Sequence, residues 1–294
     1  MLLQLLFVLV AIIIGARVGG IGLGILGGLG LAVLTFVFGL QPTAPPIDVM
    51  LMIVAVIAAA SCMQAAGGLD LMVKWAEKIL RKNPHHITLL SPFVTYFFTF
   101  FAGTGHVAYS VLPVIAEVAK DTGIRPERPL GIAVIASQQA ITASPISAAT
   151  VAMLSMLAGY NISLFDILKI SIPCTLAGVL LGALYSMKVG KELKDDPEYQ
   201  RRLAAGEISG DGYHTTEVAS HGKALTSVIL FLAATIGIVL FGSIDGLRPT
   251  FTTAQGEVQM EMSHIIEVLM LSAASLILLF TKTAVSYTHL TLPT

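Results

Sequence analysis

The sequence predicts an all-α, polytopic membrane protein, and three observations carry that prediction. Of its 294 residues, 55% are hydrophobic and 12% are charged, against roughly 25% charged in soluble domains. Apolar stretches close to the length of a bilayer crossing recur from one end of the chain to the other. Two further apolar segments are interrupted in the middle by Gly-, Ser-, Thr- and Pro-containing sequence, a pattern tolerated at membrane depth only where protein or a polar cavity surrounds it.

Candidate spans fall at about 2 to 16, 20 to 40, 48 to 66, 165 to 187, 224 to 242 and 263 to 281. The first lacks a basic start and an Ala-x-Ala cleavage site, so it is expected to be a retained helix. Between Leu69 and His86, Lys74, Lys78, Arg81 and Lys82 are set off from Leu71, Val73, Trp75, Ile79 and Leu80, which suits a short surface helix. The one long hydrophilic loop, 188 to 223, carries Lys191, Lys194, Arg201 and Arg202 beside Asp195, Asp196 and Glu198.

Lys and Arg collect in cytoplasmic loops. With the N-terminus outside, Arg17, the segments 74 to 82, 120 to 128 and 188 to 223, and Lys282 all face the cytoplasm. They hold 15 of the 17 basic residues. This topology closes only if 87 to 119 enters and leaves on the cytoplasmic side while 130 to 158 crosses once. Each arm of the first segment has about 15 residues, ~22 Å at ~1.5 Å per residue, short of a ~30 Å hydrocarbon core. A re-entrant hairpin broken at Ala102-Gly103-Thr104-Gly105-His106 is therefore expected. The second segment breaks at Thr142-Ala143-Ser144-Pro145-Ile146-Ser147, where Pro145 removes a donor and biases Ser144 out of helical geometry.

These two breaks are the candidate binding site. Gly103 to His106 and Ser144 to Ser147 each open a half-helix whose first amides lack intrahelical partners and attract anions. Two such ends could hold the two carboxylates of a small diacid without a buried cation, and neither segment contains Lys or Arg. The competing reading is that Gly and Pro serve packing and kinking alone. His106 lies inside a membrane segment, where ionisable groups are rare and usually functional; ligand contact, proton coupling and a neutral hydrogen-bonded role all remain open. Gln138 and Gln139 precede the second break by one to two turns, where an amide either joins helices or touches a ligand.

Other chemistries are excluded. Gly22, Gly24 and Gly27 spell G-x-G-x-x-G inside an apolar helix with no preceding strand, so helix packing, with Gly15 and Gly19, replaces a dinucleotide site. His85 and His86 are adjacent in a basic loop, poor geometry for a metal. Cys62 and Cys174 lie in apolar stretches without disulfide or zinc spacing. No cofactor or metal is expected. No Ser, His and acid gather as in a hydrolase, so no enzyme activity is expected. A net charge of -1 argues against nucleic-acid partners.

Several clusters together resemble one family. They are Gly15-Ala16-Arg17, Gly19-Gly20-Ile21, Leu40-Gln41-Pro42 with Pro45-Pro46-Ile47-Asp48-Val49-Met50, Gly67-Gly68-Leu69-Asp70, Arg81-Lys82-Asn83-Pro84, Ala102-Gly103-Thr104-Gly105-His106, Arg125-Pro126-Glu127-Arg128-Pro129 and Ala143-Ser144-Pro145-Ile146-Ser147-Ala148. In this order they resemble the anaerobic C4-dicarboxylate transporters, the Dcu family, nearer its B-type members, from residue 1 to about 283. The resemblance implies a bacterial inner-membrane exchanger that takes up fumarate, malate or aspartate and releases succinate during fumarate respiration. It also implies an inverted-repeat fold: a first repeat over 1–187, a cytoplasmic loop over 188–223 and the start of a second repeat over 224–283. The substrate site is then expected at Gly103, Thr104, Gly105, His106, Thr142, Ser144, Pro145 and Ser147.

Family members continue beyond residue 283, so the chain is expected to be C-terminally truncated. Residues 284–294 read as a translated adapter rather than family sequence. Expected partners are C4-dicarboxylates and lipid, with room for a homo-oligomer or a membrane sensor kinase. Alternatives are a cation-coupled carrier of another organic anion, and a non-transporting partner that tunes a dicarboxylate sensor through the loop at 188 to 223.

Overall fold

The computed structural model describes residues 2–18, 22–45, 47–157, 160, 162–205, 220–253 and 256–283. The expected tail at 284–294 and residues 206–219 of the hydrophilic loop lie outside the described residues. The six predicted spans become α1 (Leu2–Val18), α2 (Gly22–Phe36), α3 (Ile47–Ala65), α9 (Leu164–Ser186), α11 (His221–Ser243) and α12 (Met262–Thr281). Of these, α3, α9, α11 and α12 are long and apolar enough to cross a membrane. The helices α1 and α2, with 17 and 15 residues, reach only about 25 and 22 Å.

The chain divides into two compact units, Met1–Ile47 and Asp48–Ala284. In the first, α1 packs on α2. Helix packing explains only part of the glycine motif there. A side chain at Gly15 would strike Leu23 and one at Gly22 would strike Val18, whereas Gly24 and Gly27 face open space.

The second unit is built around α5 (Ile87–Ala102), α6 (His106–Asp121) and α7 (Glu127–Ala143), with α8 (Ala148–Met156) following. The helices α5 and α7 run parallel and in register. Ser91 Oγ donates to the Pro129 carbonyl at 3.2 Å and Thr99 Oγ1 to Ser137 Oγ at 3.2 Å, both across a sequence offset of 38. Along this face α7 presents Ala133, Ala136, Ala140 and Ala143, each fully buried. Small side chains let two helices approach closely, which replaces the missing hydrophobic drive inside a membrane. On its other side α5 meets α9, where Tyr96 and Thr175 hydroxyls are hydrogen-bonded at 2.8 Å. Tyr96, Ala136, Ala140, Ala143 and Val179 form the core of this three-helix group.

The amphipathic segment forms α4 (Gly68–Lys82), but it is not a free surface helix. Its apolar face, Leu71, Met72, Ala76 and Leu80, is buried against α6 and α11. A protein interior, not the lipid interface, covers that stripe. The connection between α11 and α12 holds an unpredicted hairpin, β1 (Thr250–Thr253) and β2 (Gly256–Gln259), with Phe251 opposite Val258. The alternating Thr-Phe-Thr sequence was its only signal.

Three of the expected cytoplasmic basic segments meet at one end of the second unit. Arg81 of α4 pairs with Glu77 at 2.8 Å and with Glu117 of α6 at 2.9 Å. Arg125 pairs with Glu127 and, at 2.7 Å, with Asp196 in the loop after α9. Arg128 is mostly buried. It reaches Glu192 at 2.7 Å and donates to the carbonyls of Val189 (2.5 Å) and Gly190 (2.8 Å). Gly190 has φ +74°, a region open to glycine, and an added Cβ would press on Arg125. The strap after α9 is thus clamped onto the start of α7, and α10 (Pro197–Ala204) follows it, capped by Asp196. The carboxyl of Asp196 is held below its usual range, first by the Tyr199 amide and then by the Arg125 guanidinium.

Two predictions follow from this clamp. Arg128→Ala should expose 189–196 to hydrogen exchange and proteolysis, and Arg128→Lys should restore protection only partly, because an ammonium cannot fork across three acceptors; full protection in the Lys variant contradicts the geometry. In α10, Arg201 and Arg202 pull Glu198 from 4.5 down to about 2. Its contribution to α10 is therefore complete above about pH 4.5 and lost as pH falls through about 2. A carboxyl NMR titration should show the Glu198 midpoint rising in Arg201→Gln, and an unmoved midpoint counts against the pairing.

Candidate functional site

Both breaks occur where the sequence puts them. The helix α5 ends at Gly103, which has φ +68° and donates its amide to the Thr99 carbonyl at 2.9 Å. A left-handed end of this kind favours glycine and satisfies an orphan carbonyl. Three residues later α6 starts, with Gly105 at its cap and no side chain bonded to its first amides. Short connection and mutual packing make α5 and α6 a hairpin whose tip is Gly103-Thr104-Gly105. His106 opens α6, and its side chain lies outside the described residues.

The second break has a different local chemistry. The helix α7 ends at Ser144, whose ψ of 132° is extended, as a residue before proline requires. Ile146 N donates to Ser144 Oγ at 3.4 Å. Ser147 then caps α8, accepting from Thr150 N at 3.2 Å and donating to Thr150 Oγ1 at 3.1 Å, while Thr150 Oγ1 donates to the Thr142 carbonyl at 3.2 Å. These bonds staple the two half-helices across the proline.

The two breaks touch. A Cβ at Gly103 would lie 2.7 Å from Ile146 Cγ1 and 3.3 Å from the Ile146 carbonyl oxygen; one at Gly105 would lie 3.3 Å from Gln138 Nε2 and 3.6 Å from Ser137 Oγ. The parallel register of α5 and α7 brings the hairpin tip to the interruption. Sequence spacing alone did not place these segments side by side.

Access divides the predicted site residues into two groups. Gly103, Thr104 and Gly105 are partly exposed and Thr142 is exposed, whereas Ser144, Pro145, Ile146 and Ser147 are buried. Ser144 and Ser147 use their hydroxyls in hydrogen bonds within the break. The amides left for a ligand at the second break are those of Ala148 and Ala149, in the uncovered first turn of α8. The sequence reading expected backbone amides at this break but ended its site at Ser147, one residue short of them. It also left Gln138 open, which the contact at Gly105 brings to the tip.

Neither of two cavities elsewhere in the second unit suits a dianion as well. One, about 460 Å³, is walled by Phe100, Phe101, Phe165, Ile172 and Leu240, with Lys169 its one charged group. A second carboxylate there would lose its water against aromatic rings. The other, also about 460 Å³, lies at the clamp and includes Asp196 and Glu198 beside Arg125 and Arg202, so its acids oppose an anion. Among the described residues no group of three or more potential ligands could hold a metal.

Substituting Gly103 tests the contact between the breaks. Gly103→Ala combines left-handed strain with overlap on Ile146, for about 2 to 4 kcal/mol, whereas Gly123→Ala has φ +72° but open space around it and should cost only about 1 to 2 kcal/mol. Thermal unfolding in detergent reads both, and Ile146→Ala should recover part of the Gly103→Ala loss. Equal losses at the two glycines would show that the breaks do not touch.

Comparison with known proteins matches residues 1–290 to the family described as anaerobic C4-dicarboxylate membrane transporters. The chain is 47% identical over 277 residues to the C4-dicarboxylate transporter DcuA of Escherichia coli (strain K12), covering 94% of the chain and 63% of that relative. It is 46% identical to DcuA of Wolinella succinogenes, covering 95% and 63%. It is 42% identical to the anaerobic C4-dicarboxylate transporter DcuB of Escherichia coli O157:H7 over 290 residues, covering 96% and 64%. Identity is thus higher to these A-type relatives than to the B-type one, the reverse of the leaning expected from the sequence. The match runs past residue 283 and covers nearly the whole chain, so it does not support the expected truncation. The chain spans less than two thirds of the length of these relatives. No solved structure matches it.

Proposed function

The chain belongs to the anaerobic C4-dicarboxylate membrane transporter family, and on that premise we propose that it carries four-carbon dicarboxylates across the bacterial inner membrane, taking up fumarate, malate or aspartate in exchange for succinate. The observation that supports this most is the contact of the two breaks that precede α6 and α8, where Gly103 at the end of α5 lies against Ile146. Each start has about half a positive charge and free amides. Together they offer a diacid two anion-binding ends with no buried cation.

In this reading the Gly103–His106 tip and Thr142, with the Ala148 and Ala149 amides, contact the substrate. Ser144, Pro145 and Ser147 hold the break open. The hairpin of α5 and α6 is re-entrant from the cytoplasm, the arms being 16 residues each, about 24 Å. The basic clamp end faces the cytoplasm and the N-terminus the periplasm, as the distribution of Lys and Arg favours. Residues 1–187 form a first repeat, 188–223 a cytoplasmic loop and 224–283 the beginning of a second. A homo-oligomer and contact with a membrane sensor kinase are compatible with this arrangement.

Exchange follows from electrostatics. Moving a dianion inward against ~100 mV costs about 4.6 kcal/mol, at ~2.3 kcal/mol per charge. For fumarate and malate, releasing one succinate dianion for each dianion taken up cancels the cost; aspartate carries one net negative charge, so its exchange for succinate moves one net negative charge outward. Counterflow tests the proposal: vesicles bearing the chain and preloaded with succinate should accumulate labelled fumarate, and Thr142→Val should slow that uptake about tenfold. Uptake that ignores the preload but follows a Na⁺ or H⁺ gradient overturns exchange. No uptake under any gradient overturns transport and favours a non-transporting partner.

A further inference from the structure

The outer face of α7 changes character along its length. Gly131, Val134 and Ile135 are exposed and apolar or neutral; one turn later Gln138, Gln139 and Thr142 are exposed and polar. The opposite face, Ala133, Ala136, Ser137, Ala140 and Ala143, is buried against α5 and α9 throughout. A lipid-facing stripe would stay apolar to the end, because an exposed carboxamide in hydrocarbon has no hydrogen-bond partner. The last two turns of α7 therefore present a polar surface beside the break.

Gln138 is the member of that stripe that reaches the hairpin. Its Nε2 lies 3.3 Å from the position a Gly105 Cβ would take. A Cβ at residue 105 would press on it, so Gly105 leaves room for the carboxamide beside the tip. Thr142, one turn on, donates to the Gln138 main-chain carbonyl at 3.4 Å, but the Gln138 side chain has no hydrogen bond among the described residues. A carboxamide both donates and accepts, whereas the backbone amides at the two breaks only donate. Carboxylates need donors alone. A hydroxyl or ammonium on the carbon between them needs an acceptor.

Resting on the dicarboxylate reading of the site, we propose that Gln138 is a specificity-determining residue that hydrogen-bonds the substituent at C2 of 2-hydroxy and 2-amino C4-dicarboxylates and makes no such bond to unsubstituted ones. The backbone of the breaks holds what all these diacids share; Gln138 reads what differs. Gln139 lies on the same exposed stripe, but the close approach to Gly105 is made by Gln138.

Equilibrium binding of labelled malate and succinate to the chain in nanodiscs tests the assignment. Gln138→Leu should weaken malate about tenfold, the loss of one or two hydrogen bonds, and leave succinate within about twofold; Gln138→Met, nearly isosteric, should repeat this if the Leu variant folds poorly. Equal weakening of both ligands, or no change in either, overturns the role while leaving dicarboxylate binding standing. A shift in oligomeric state with an unchanged malate-to-succinate ratio assigns Gln138 to a contact between copies and overturns it too. Failure of the unaltered chain to bind either diacid overturns the dicarboxylate reading itself, and this role with it.

Discussion

Everything in the second unit depends on satisfying non-helical backbone where water is scarce. An amide or carbonyl freed at membrane depth costs several kcal/mol if unpaired, so in the proposed re-entrant arrangement the two helix interruptions gain by sharing one protected environment. The parallel pairing of α5 and α7 supplies it. The bonds from Ser91 and Thr99 set the register, the alanine face sets the separation, and Gly103 meets Ile146 as a consequence. Interhelical hydrogen bonds of this kind average only about 0.6 kcal/mol. Their value is positional: a slip of one residue would rotate the alanine face away and part the breaks.

The same constraint explains the division of labour among polar side chains. Ser144, Ser147 and Thr150 close hydrogen bonds within the second break and leave only the first turn of α8 open. The first break is closed by glycine conformation, with a left-handed Gly103 and no capping side chain on α6. One tip is thus compact and the other stapled. At the far end of α7, Arg125 and Arg128 tie the helix start to the strap after α9. The helix that carries the proposed site is fixed at both ends.

Much of the architecture was legible in the sequence, for identifiable reasons. Long Leu-, Ile- and Val-rich runs cannot be anything but buried or lipid-facing helices, so α3, α9, α11 and α12 fell where expected. Gly103, Gly105 and Pro145 are strong local punctuation, so both breaks were visible. What periodicity could not say was which face meets which neighbour. The stripe of α4 looked like a membrane-surface helix because amphipathicity does not distinguish lipid from protein. Ser144 and Ser147 looked like ligands because a hydroxyl near a break can face inward or bond its own backbone. The proximity of Gln138 to Gly105 depends on the register of two helices, which no local pattern encodes.

Site accessibility at both breaks at once is the central claim, and cysteine protection measures it most directly. Cys62 is buried and Cys174 is exposed, so the experiment begins in a Cys174→Ser background. Thr104→Cys and Thr142→Cys would each be labelled with a maleimide in the presence and absence of a saturating C4-dicarboxylate, with Ser163→Cys, at the cap of α9, as the control. The account predicts that the diacid slows labelling at 104 and at 142 and not at 163. Protection at one break alone, or at none of the three, would contradict a site shared between them.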